Sequence, residues 1–378
     1  MTMGILLALA AGLFLAFANG ANDNFKGVAT LLGSKTTSYK VSLLWATTTT
    51  LAGSMAALFL AQKLMVNFSG KGLVPDQVAQ LTSFSGSVAL AAAFTVFLAT
   101  RLGFPISTTH AITGALVGTG LIASPHGVHV DKLFSAFFLP LLVSPFLAIV
   151  IAAILYPIFS LTKRKLGVTR ESCLCIGNEV LVIAPKGIPR GSSAAVLQVA
   201  CCPQIAVGTK VTCEERYIGQ VWGLSAKTIL DVAHFLSAGL VSFARGLNDT
   251  PKIAAILLVG NSLTSMTSVG AIALMMALGG VIMAKRVADT MSYGITEMND
   301  GQGFSANLVT SLIVIGASQL GMPVSTTHVS CGSLFGIGTI TRQAHWGSIV
   351  RIILAWVITL PIAGILGYLS FFILGGVF

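Results

Sequence analysis

Two short polar segments interrupt long apolar runs, and each occurs twice. Gly20–Thr30 reads GANDNFKGVAT and Gly246–Ile256 reads GLNDTPKIAAI, 226 positions apart. Ala99–Gly120 reads ATRLGFPISTTHAITGALVGTG and Ala317–Gly338 reads ASQLGMPVSTTHVSCGSLFGIG, 218 positions apart and identical at 12 of 22. Repeats matching only in Leu and Gly would simply enlarge a helical bundle. These match in Asn-Asp and Ser-Thr-Thr-His, where apolar surroundings penalise polarity, and that points to function.

The first motif carries carboxylates. An Asp in a bilayer interior costs about 2.5–3.5 kcal/mol on insertion scales, so Asp23 and Asp249 need partners. Lys26 and Lys252 stand three residues on, where an i,i+3 ion pair could form on one helix face. Alternatively, the oxygens of Asn22, Asp23, Asn248 and Asp249 are hard ligands for a cation such as Na⁺. Carbonyls unwound near Gly20 or Gly246 would complete the shell, with Pro251 helping to break the helix. The second motif, Pro-x-Ser-Thr-Thr-His, opens a short Gly-rich helix. Ser107 and Ser325 could be plain N-caps. Yet Ser107, Thr108, Thr109 and Ser325, Thr326, Thr327 set three hydroxyls and several free N–H groups at a positive helix end, twice, which is an anion site. His110 and His328 could orient the loop, donate to the anion or carry a proton.

These motifs sit on elements that must cross a membrane. Of 378 residues, 54% are hydrophobic and only 9% charged, and the mean hydropathy is +0.88. Soluble domains carry about 25% charged residues, so an ordinary cytosolic enzyme and a disordered chain are excluded. Runs near the roughly 20 residues of a spanning helix argue against an outer-membrane barrel. The formal charge of +10 comes without an aromatic-interleaved basic patch, so no nucleic-acid partner is expected. No P-loop, acid–base pair or metal-ligand cluster lies in the apolar part, so an enzyme is not expected; a passive anion channel is a further class to test. Met1–Gly20 lacks a basic start and reads as a first membrane helix rather than a removed signal. About ten to twelve membrane elements are expected. Ala111–Ala123, Ile253–Val259 and Val329–Ile340 are too short to span, which suggests broken or re-entrant helices.

The chain divides into a first membrane repeat over 1–161, a polar insert over 162–226 and a second repeat over 227–378. Lys163-Arg164-Lys165 follows a membrane run, which places the insert in the cytoplasm. Val180–Ala184 and Ala194–Val199 read as short strands. Cys173, Cys175, Cys201, Cys202 and Cys213 crowd the insert without the C-x-x-C spacing of a zinc ribbon, so ordinary thiols are favoured over metal binding. Cys331 reads as a small packing residue. Asp231 near His234, and Asp289 near Lys285-Arg286, read as satisfied local pairs.

Gly20-Ala21-Asn22-Asp23, Gly246-Leu247-Asn248-Asp249 and both Pro-x-Ser-Thr-Thr-His segments resemble the PiT family of inorganic phosphate transporters. The likeness covers both membrane halves and leaves out the insert. It implies an all-α polytopic fold of two inverted repeats. It also implies phosphate as cargo, symport with Na⁺ or in some members H⁺, a cell-membrane location and a homodimer; some relatives carry sulfate. Carried over, Asp23, Asp249, Asn22 and Asn248 belong to the ion and substrate site, and the two Ser-Thr-Thr runs to phosphate. Asn24-Phe25-Lys26 departs from the small residues and further Asn of many members. Phosphate brings about 1.5 to 2 negative charges near neutral pH, if it titrates like a phosphoester. Two bare aspartates would repel it, and Na⁺ between them would turn repulsion into attraction. The expectation is a sodium-coupled phosphate symporter with alternating access, with proton-coupled, metal-phosphate or sulfate transport as alternatives.

Overall fold

A computed structural model describes residues 3–124, 127–169, 171–183, 197–209, 222–257 and 265–374. Ten long helices among the described residues carry the membrane part. In the first half they are α1 (Met3–Asp23), α2 (Tyr39–Leu60), α3 (Thr82–Arg101), α4 (Thr108–Ala123) and α5 (Leu139–Lys165). Their counterparts are α6 (Ala226–Leu257), α7 (Ser265–Met283), α8 (Asp300–Leu320), α9 (Thr326–Thr341) and α10 (Trp346–Leu374). Eight stretches among the described residues are long and apolar enough to cross a membrane. The two left over, α4 and α9, have 16 residues each and are walled in by other helices along most of their length. They are the short segments expected from the sequence.

The expectation for Ile253–Val259 is corrected. Its described part, 253–257, is the end of α6, which runs unbroken through Gly246 and Pro251 to Leu257, and residues 258–259 lie outside the described residues. Proline removes one backbone donor, and the surrounding side chains tolerate the lost helical bond. Only the first half breaks, where α1 ends at Asp23 and turns through Asn24–Val28.

The equivalent helices α1 and α6 pack antiparallel to each other. Along α1 and α6, Gly12 faces Leu257, Asn24 meets Arg245 and Gly27 faces Ser242. The halves also grip each other reciprocally. A Cβ on Gly20 would lie 1.9 Å from the Met276 carbonyl of α7, and one on Gly246 2.2 Å from the Thr50 carbonyl of α2. Gly114 and Gly118 of α4 pack on Leu360 and Gly364 of α10. Gly332 and Gly336 of α9 pack on Pro145 and Ile149 of α5. These glycines permit backbone contact that no side chain allows, which suits helices in lipid, where small residues let backbones approach.

Each half resets its chain direction in the same way. α3 and α8 are followed by Gly103 and Gly321 at φ +76° and +75°. This left-handed turn is cheap for glycine. Four residues later Ser107 and Ser325 cap α4 and α9, accepting from the backbone N–H of His110 at 3.1 Å and His328 at 3.2 Å. Cys331 is buried beside Met291, as a packing residue should be.

The chain clusters into two compact units, Met1–Tyr156 with His234–Phe378, and Pro157–Ala233. The second contains antiparallel strands β1 (Ser172–Ile183), β2 (Leu197–Thr209) and β3 (Trp222–Ser225) in the order β2-β1-β3. The expected strands Val180–Ala184 and Ala194–Val199 lie within or beside β1 and β2, which are longer; residues 184 and 194–196 fall outside the described residues. Cys173 is buried, and Cys213 lies outside the described residues. Asp231 takes an ion pair from Lys227 at 3.1 Å, a partner not expected from the sequence. Lys285 pairs with Asp289 at 2.9 Å, as expected; that hydrogen bond holds the exposed Lys285 ammonium above its ordinary pKa.

Candidate functional site

All four repeated motifs converge at one buried cluster in the larger unit. The end of α1 supplies Asn22, Asp23 and, in the following turn, Lys26. The middle of α6 supplies Asn248, Asp249 and Lys252. The starts of α4 and α9 supply the Ser-Thr-Thr runs. All are at least nine-tenths buried.

Each aspartate is paired with the lysine three residues on. Lys26 Nζ donates to Asp23, to Asn22 Oδ1 at 2.7 Å, to the Ile106 carbonyl at 2.7 Å and to Thr327 Oγ1 at 2.7 Å. Lys252 Nζ donates to Asp249 Oδ1 at 3.3 Å, to Thr109 Oγ1 at 2.7 Å and to the Val324 carbonyl at 2.9 Å. The pattern obeys the repeat, since Ile106 corresponds to Val324 and Thr109 to Thr327. It also crosses the repeat, because each lysine reaches the threonine of the opposite half. Of the two partners considered for the carboxylates, the ion pair is the one seen.

The hydroxyl segments divide their work. Ser107 and Ser325 spend their oxygens as helix caps. Thr108 Oγ1 donates to Asp23 Oδ2 at 3.1 Å, Thr109 to the Val324 carbonyl at 3.3 Å and Thr327 to the Ile106 carbonyl at 2.9 Å. Thr326 is buried among them. The asparagines brace the helix junctions: Asn22 Nδ2 donates to Thr100 Oγ1 and the Phe104 carbonyl, and Asn248 Nδ2 to the Val324 carbonyl. Ser318, the counterpart of Thr100, donates to Asn248 Oδ1 at 3.2 Å. His110 and His328 lie with ring centroids 4.4 Å apart and their planes tilted by 51°, and His328 lies against Trp356. His110 Nδ1 and His328 Nε2 have no hydrogen-bond partner among the described residues, and both rings border an apolar cavity of about 400 Å³.

One residue breaks the symmetry, and the motif comparison missed it. Arg245 corresponds to Asn19. Its Nη2 donates to Asn19 Oδ1 at 2.7 Å, its Nη1 to Asn24 Oδ1 at 3.1 Å, and its Nε lies 3.8 Å from Asp249 Oδ2. Asn19 Nδ2 lies within 3.0 Å of Asp23 and 3.2 Å of Asp249, so one amide bridges the two carboxylates. Both residues stand just before the repeated segments. An arginine inside a long apolar run is the signal that could have found it. By formal charge, three basic side chains (Lys26, Arg245, Lys252) face two acidic ones (Asp23, Asp249), a formal surplus of +1 among buried groups.

Eight membrane-length apolar helices around a buried polar cluster at the junction of two related halves define an integral membrane protein. A family model described as the phosphate transporter family matches residues 19–367, and the chain belongs to that family. It is 28% identical over 409 residues to a "Putative phosphate permease" of Thermococcus kodakarensis, covering 98% of this chain and 97% of that one. It is 27% identical to a "Probable low-affinity inorganic phosphate transporter" of Bacillus subtilis, over 99% and 98% of the two chains. A solved structure of a protein named "The sodium-dependent phosphate transporter" shares the fold, with a TM-score of 0.75 at 19% identity and full coverage of both chains.

Proposed function

We propose that this chain is a secondary symporter that carries inorganic phosphate by alternating access, the repeats 1–161 and 227–378 rocking about the buried cluster. The observation that carries this reading is the formal surplus of positive charge in a buried cluster whose lysines reach the starts of α9 and α4. A buried net charge of +1 is costly when empty and is neutralised by a bound anion. Thr108, Thr109, Thr326 and Thr327, with the first-turn N–H groups and the two lysines, would hold the phosphate oxygens; Asn22 and Asn248 would position them.

The fold neighbour is sodium-dependent by its name, and charge balance sets the role that sodium would take in this chain. Divalent phosphate with one Na⁺ neutralises the site, and so does monovalent phosphate alone. In the sodium reading, phosphate draws the lysines toward itself and the uncovered oxygens of Asp23, Asp249, Asn22 and Asn248 accept Na⁺. Proton coupling is the second reading, favoured because ammonium groups already fill both oxygen cages. The carrier would act in the cell membrane, with the insert 162–226 in the cytoplasm and a second copy as partner.

³²P-phosphate uptake into proteoliposomes tests the reading. Saturable uptake that rises with an inward Na⁺ gradient supports sodium symport, and uptake that follows a pH gradient alone supports the second reading. Uptake that never saturates points to a channel, and full competition by sulfate overturns the choice of cargo.

A further inference from the structure

We infer that Lys26 and Lys252 are tethered counter-cations, each ammonium standing in an oxygen cage of the composition that would otherwise take a free sodium ion. The inference rests on the membrane-carrier reading and is indifferent to which ion drives transport.

The cage around Lys26 consists of a carboxylate, an amide oxygen, a backbone carbonyl and a threonine hydroxyl. That is an all-oxygen, hard donor set of the kind that coordinates metal cations. An ammonium has three hydrogens to donate, yet four oxygens close on this nitrogen. The fourth is surplus for a lysine and ordinary for a metal ion. The second cage repeats the chemistry with Asp249, Thr109 and the Val324 carbonyl. In both, the lysine stands three residues after the aspartate and the threonine comes from the opposite half, so the cage exists only when the halves meet. A tethered charge loses no translational freedom on entering and does not leave with the cargo. It therefore compensates the carboxylates in the empty carrier, at two positions where a free ion would otherwise have to be recruited.

The test compares purified wild type with the double variants Lys26→Ala/Lys252→Ala and Lys26→Met/Lys252→Met. Alanine opens each cage; methionine fills it without charge. Melting temperatures are read without phosphate in NaCl and in choline chloride of equal strength, and ³²P-phosphate binding is read in the same buffers. NaCl should raise the melting temperature of the alanine variant clearly more than that of wild type or the methionine variant. Phosphate affinity of the alanine variant should fall about tenfold or more in choline, about 1.4 kcal/mol or more, and return in NaCl. An alanine variant that folds only in NaCl gives the same support. Equal sodium responses in all three proteins overturn the inference, because a sodium site elsewhere would raise all three alike. So does an alanine variant that stays unfolded in saturating NaCl while the methionine variant folds. If neither double variant folds, the single variant Lys26→Ala is read in the same way. Absence of phosphate binding by wild type in both salts would count against phosphate as cargo, while the melting comparison still judges the cages.

Discussion

The two halves should respond unequally to loss of their lysines, because Arg245 stands on one side only. Asp249 has Lys252 Nζ at 3.3 Å and Arg245 Nε at 3.8 Å. At an effective dielectric near 20 these pairs are worth about 5 and about 4 kcal/mol of Coulomb attraction before desolvation. Lys252→Met therefore leaves Asp249 with a guanidinium and two amide donors, from Asn248 at 3.0 Å and Asn19 at 3.2 Å. Lys26→Met leaves Asp23 hydrogen-bonded only to neutral donors, Asn19 Nδ2 and Thr108 Oγ1. The expected loss of stability is about 3–5 kcal/mol for Lys26→Met, the cost of stranding a buried charge. For Lys252→Met it is about 1.5–3 kcal/mol, one charge-assisted hydrogen bond. Adding Asp23→Asn to Lys26→Met replaces a buried pair by neutral groups and should restore most of the loss. Denaturant unfolding in detergent, in sodium-free buffer, measures all three. Equal losses for the two lysines, or a double variant no more stable than Lys26→Met alone, would refute the assignment of Lys26 as the principal counter-charge of Asp23.

Arg245→Gln removes the surplus charge, and we expect the phosphate KM for uptake to rise about tenfold, or about 1.4 kcal/mol, with the protein still folded; an unchanged KM would detach the charge count from binding. Asp23→Asn and Asp249→Asn should abolish cation-driven uptake in proteoliposomes, and parental rates in both would remove the carboxylates from coupling. Thr109→Val and Thr327→Val each take a hydroxyl from the cage of a lysine and should raise KM more than Ser107→Ala or Ser325→Ala. The serine changes remove helix caps and should cost about 0.5–2 kcal/mol of stability, so the reverse order in KM would return the serines to the binding role. Gly20→Ala would place a methyl 1.9 Å from the Met276 carbonyl and should destabilise by at least about 1–3 kcal/mol. Gly316→Ala, which meets open space, should leave the melting temperature level or higher.

The sequence by itself determined the class of fold, the duplication and the polar residues that meet in the buried cluster. Each is a local signature: low charge, long apolar runs, and Asn-Asp and Ser-Thr-Thr-His standing where polarity is expensive. It also determined the caps at Ser107 and Ser325, since capping depends on a few neighbouring residues. Tertiary structure decided what those residues touch. Lys26 finds Thr327, Lys252 finds Thr109, and Arg245 finds Asn19 across separations of 301, 143 and 226 residues. No periodicity or spacing encodes such contacts. Two outcomes went against local reading for the same reason. Pro251 does not break α6, because surrounding helices tolerate the missing bond. The excess positive charge was invisible because Arg245 lies outside the repeated words and matters only once both halves fold onto the same few ångströms.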